Sequence, residues 1–166
     1  NAVQCSANTE AVSHFIKGLE LLKLMPDMPE GAQQELRLHV ALGVPLMAVK
    51  GWGAPEVEQA YARARELCLH MEETPRLFRV LQGLWVFYLT RAKLQPAREL
   101  GEQLLNLAQS LQAPPLFLPA YNALGATLLW MGELVSAREY LERGVALYNP
   151  QLRSRTSQRG QDPGVV

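Results

Sequence analysis

The chain has 166 residues, enough for one compact domain or a short solenoid whose core needs no disulfide or metal staple. Its 16 basic and 16 acidic side chains cancel, so overall charge draws it neither to nucleic acid nor to an anionic membrane. Two cysteines, Cys5 and Cys68, are too few for a secreted disulfide framework, no signal peptide is recognisable, and no apolar run reaches membrane-spanning length. The expectation is a cytoplasmic protein with reduced thiols.

Helical patterns alternate with short breaks along the chain. The first helix is expected over 9–24, ended by Pro26 and Pro29. Asp27 and Glu30 stand at the start of the second, 30–49, where the helix dipole favours negative charge. The turn Gly51-Trp52-Gly53-Ala54-Pro55 leads into the third, 55–72, with Pro55 in its first turn, where a missing N–H costs nothing. Pro75 opens 75–92, Pro96 falls in the first turn of 95–111, and Pro114-Pro115 open 115–131. The last, 134–148, carries Glu139 and Arg143 at (i, i+4) and stops before Pro150. Ala, Leu, Glu, Gln and Arg fill these segments, no stretch alternates as a strand would, and the class is all-α.

The segments repeat. Val57-Glu-Gln-Ala-Tyr61-Ala-Arg-Ala64, Ala97-Arg-Glu-Leu-Gly101-Glu-Gln-Leu104 and Ala137-Arg-Glu-Tyr-Leu141-Glu-Arg-Gly144 recur every 40 residues, with an earlier copy at Ala11-Val-Ser-His-Phe15-Ile-Lys-Gly18. Leu42-Gly43, Leu84-Trp85 and Leu124-Gly125 precede the three later copies, the first at a distance longer by two residues, which places an insertion in the Gly51–Pro55 turn. Tyr121, Leu124-Gly125, Leu128, Gly132, Ala137, Leu141, Gly144 and Pro150 resemble the tetratricopeptide (TPR) motif, and Leu81, Leu84, Tyr88, Ala92, Ala97 and Leu104 follow it more loosely. Trp85 departs from the motif where Gly is expected, and Gly101 where an aromatic is expected. The resemblance implies a right-handed superhelical solenoid of antiparallel helix hairpins over 1–150, with approximate repeats 1–29, 30–74, 75–114 and 115–150. The 40-residue period, against about 34 in the common motif, implies longer helices. Residues 151–166 are expected to begin a truncated further repeat or to form a disordered tail.

Several phrases are similar to one bacterial group: Lys17-Gly-Leu-Glu-Leu-Leu, Gln33-Gln-Glu-Leu-Arg-Leu, Lys50-Gly-Trp-Gly-Ala-Pro-Glu-Val, Leu84-Trp-Val-Phe-Tyr-Leu and Gly160-Gln-Asp-Pro-Gly-Val. They resemble the C-terminal TPR region of signalling proteins that carry a class III nucleotide cyclase, an AAA-type ATPase and TPR-like repeats. That resemblance implies a non-catalytic interaction or sensory module, cut from a larger chain and serving chemistry located elsewhere.

Neither GxxxxGK[ST] nor GxGxxG is present. Cys68 and His70, two apart on a helix, point to different faces and assemble no ligand set with His14 or His39, and neither cysteine has a base at a defined spacing. No catalytic residue, metal or cofactor is expected. The motif's binding positions, carried onto this chain, are Arg37, Val40, Val44 and Met47; Arg79, Gln82, Val86 and Leu89; and Pro119, Asn122, Ala126 and Leu129. They mix apolar contact with a few polar groups, the composition of a protein or peptide groove, and they lack the set that clamps a C-terminal carboxylate. Trp52 either anchors a partner or folds back over its own hairpin. Trp85 and Trp130 are expected in the core. The expected partners are a protein, a peptide, neighbouring domains of the same chain, or a second copy at an exposed solenoid end. The alternative is an effector-binding domain of a helical-repeat transcriptional regulator, which would need a closed pocket near Met47, Gln82 and Asn122.

Overall fold

The computed structural model describes residues 2–24 and 30–147. Among them lie seven α-helices and no strand: α1 (Ala2–Lys23), α2 (Gly31–Lys50), α3 (Pro55–His70), α4 (Thr74–Thr90), α5 (Leu94–Ser110), α6 (Pro114–Met131) and α7 (Leu134–Leu147). The proline-marked starts fall where the sequence places them, with Pro55 and Pro114 in the first turns of α3 and α6. α1 starts seven residues earlier than expected, since nothing among its early residues breaks a helix. Asp27, Pro150, the basic tail (Arg153, Arg155, Arg159) and residues 151–166 lie outside the described residues, as does the side chain of Cys5.

The repeat is written into the backbone. Left-handed φ angles occur at Glu72, Ala92, Gln112 and Gly132, each twenty residues after the last. After each, the next N–H reaches back five residues, from Glu73 to Cys68, Lys93 to Tyr88, Ala113 to Ala108 and Glu133 to Leu128, at 2.9–3.3 Å. At Ala92, Gln112 and Gly132 the residue's own N–H closes on the carbonyl three back. This pair of bonds is the Schellman closure, which satisfies the orphan carbonyls at a helix end. One turn form therefore ends α4, α5 and α6, and α3 ends on the same left-handed residue and five-residue bond. Three of its four left-handed positions carry a side chain where glycine would be unstrained. The α2–α3 connection is different: Gly51 turns at φ 93°, and Ala54 N–H bonds to the Gly51 carbonyl.

The chain forms two compact units, divided within α5 between Leu100 and Gly101. In the first, α1 packs on α2, α2 on α3 and α3 on α4, and α2 also touches α4. Its centre is Tyr61, buried on α3. The Tyr61 ring lies against Gly43 of α2 on one side and Gly83 of α4 on the other, and a Cβ at either glycine would overlap the ring. Bare backbone lets the flanking helices close on a large ring at interior density. Leu36, Val57, Ala64, Val80 and Trp85 complete this core. Trp85 is buried as expected, but the glycine of α4 that meets its neighbour stands two residues before it.

In the second unit α6 packs on α7. Gly125 repeats the pairing of Gly43, with Leu141 in place of the tyrosine: a Cβ there would come within 2.6 Å of Leu141 Cγ. Gly125 and Leu141 are two residues closer in sequence than Gly43 and Tyr61, which is the insertion inferred for the Gly51–Pro55 turn. Where α5 carries Gly101 instead of a large residue, Leu124 fills the space, 3.1 Å from the position a Cβ would take. Thr127, fully buried, returns its hydroxyl to the Ala123 carbonyl at 2.7 Å, so it brings no unpaired polar group into the core.

Candidate partner-binding surface

On α2, Arg37, Ala41, Val44 and Ala48 are all exposed and recur at helical spacing, so they form one solvent-facing stripe opposite the buried Leu36, Leu42, Gly43 and Leu46. Val44, 67% exposed, is a large apolar side chain held in water at the middle of that stripe. Val40 and Met47 flank it half-buried. Between 76 and 90 on α4 only Arg79 and Thr90 are exposed; Gln82 and Leu89 are half-buried. Val86 departs from expectation. It is 6% exposed and belongs to the core, so it offers no surface to a partner. α4 packs on α3 and touches α2, which leaves few of its positions in solvent. In the second unit Pro119, Asn122 and Ala126 are half-buried, and Leu129 is exposed. The sequence positions thus separate into an accessible set (Arg37, Val44, Arg79, Leu129), a partly covered set (Val40, Met47, Gln82, Leu89, Pro119, Asn122, Ala126), and one core residue, Val86.

Trp52 stands half-exposed in the turn between Gly51 and Gly53, where Gly53 passes so close to Arg91 Cδ that a Cβ would sit 3.0 Å from it. Trp130 corrects the expectation of a core residue, for it is 70% exposed at the end of α6. An apolar furrow of about 550 Å³ runs along α7, lined by Leu129, Leu134, Ala137, Arg138, Leu141, Glu142, Val145 and Ala146. Among them the motif marks Ala137 and Leu141 and the carried-over binding positions include Leu129, but neither shows which apolar side chains lack a covering neighbour.

Ion pairs tie the first unit's helices. Arg63 of α3 holds Glu35 of α2 through two hydrogen bonds of 2.8 and 3.3 Å and also reaches Glu66 at 3.0 Å. These hydrogen bonds push the Arg63 pKa up, so the guanidinium stays charged. His39 lies 3.7 Å from Glu35 on the same face of α2, and its Nδ1 has no hydrogen-bond partner. Burial holds its pKa below the ordinary 6.5 although Glu35 pulls the other way. Tyr88 of α4 donates to Glu58 of α3 at 2.7 Å, and this bond with the neighbouring carboxylate raises the phenol's pKa. Lys93 lies over the same ring, 5.7 Å from its centroid.

Cys68 is buried, and burial pushes its thiol pKa up, the environment of an unreactive cysteine. His70, in the last turn of α3, is exposed on another face. Among the described residues no three His, Cys, Asp or Glu side chains stand together as a metal site requires, and no helix is long and apolar enough to cross a membrane. Comparison with protein-family models, with curated proteins and with solved structures finds no match.

Proposed function

We propose that the chain is a TPR-like protein-interaction module that presents the exposed α2 stripe, and the exposed Arg79 of α4 in the same unit, to a protein or peptide. The observation that carries this reading is the repeated size-for-size packing, Tyr61 between Gly43 and Gly83 and Leu141 on Gly125, on helices closed by one turn form every twenty residues. Such an array builds extended surfaces from side chains that its own core leaves unused. On α2 those are Arg37, Ala41, Val44 and Ala48: an apolar centre with a cation, suited to an apolar anchor and a nearby carboxylate. Met47 and Gln82 are the further candidate contacts in the first unit, Asn122 and Leu129 separate candidates in the second, and Trp52 a candidate anchor at the turn.

The resemblance to cyclase–ATPase–TPR proteins supports a regulatory setting, in which the bound partner is a neighbouring domain or a second signalling protein and no chemistry occurs on this chain. Affinity capture from bacterial extract with the wild-type chain and with the V44D and R79E variants tests the proposal. Both substitutions fall on exposed side chains and leave the fold intact, so a specific partner is retained by the wild type and lost by V44D. A set of bound proteins unchanged by both variants contradicts the assignment.

A further inference from the structure

We draw no further inference here: the strongest candidate, the apolar furrow along α7 lined by Leu134, Leu141 and Val145, carries none because nothing among the described residues shows what covers it, its Arg138–Glu142 pair being already neutral within the one helix.

Discussion

At Tyr61 two helices are held apart by one ring and together by the absence of two side chains. The cost of changing that balance is calculable in sign. Gly43→Ala and Gly83→Ala each push a methyl into a ring fixed from the opposite side, and overpacking of this kind costs about 1–3 kcal/mol. Chemical denaturation should show both variants less stable than wild type, and Gly125→Ala likewise, since its methyl would come within 2.6 Å of Leu141 Cγ and 3.3 Å of the Ala137 carbonyl oxygen. The left-handed positions run the other way. Ala92 and Gln112 are exposed and gain nothing there from their side chains. Ala92→Gly and Gln112→Gly should each stabilise by up to about 1 kcal/mol, and Gly132→Ala should destabilise by about as much. His39 supplies the pH dependence. Its folded pKa lies below the unfolded one, so the unfolded chain takes up its proton first as the pH falls. The contribution is complete above about 6.5, falls away below it, and is lost once the pH passes the folded value. His39→Leu should flatten the stability profile in that window.

The helices were legible because proline marks most of their starts and because helix-favouring residues fill the intervals. The turns between them were less so. Glu72, Ala92 and Gln112 adopt a conformation that sequence rules assign to glycine, and only Gly132 announces it. The hydrogen bonds into Cys68, Tyr88, Ala108 and Leu128 impose that conformation, and no local residue type signals them. Hydrogen exchange measures this element directly: the N–H groups of Glu73, Lys93, Ala113 and Glu133, though beyond the helix ends, should exchange more slowly than that of Gly53. Equal rates would mean that the closures do not form. Side-chain placement followed the same division. Tyr61, Val57, Ala64, Ala97, Leu104 and Ala137 recur at the repeat spacing and are buried. Gly83 escaped notice because the motif pointed to position 85, where Trp85 stands. Trp130 and Val86 were misplaced, one outward and one inward, because periodicity names the apolar side of a helix but not whether a neighbour covers it.

At the scale of the molecule, two compact units each repeat the small-against-large pairing, and among the described residues the α2 stripe of the first and the α7 face of the second are exposed. The sequence carried the candidate residues of the first surface, Arg37, Val44 and Arg79, through its resemblance to a repeat family. The second surface became visible only with the exposure of Trp130, Leu134, Val135 and Val145, since an apolar helix face reads the same whether a neighbour covers it or not. The central claim, that the α2 stripe receives a protein, is tested most directly by a photo-crosslinking residue placed at position 44, with position 69 of α3, also exposed and apolar, as the control. A discrete crosslinked product from position 44 and none from position 69 is the predicted result. The same products from both positions, or none from either, would contradict it.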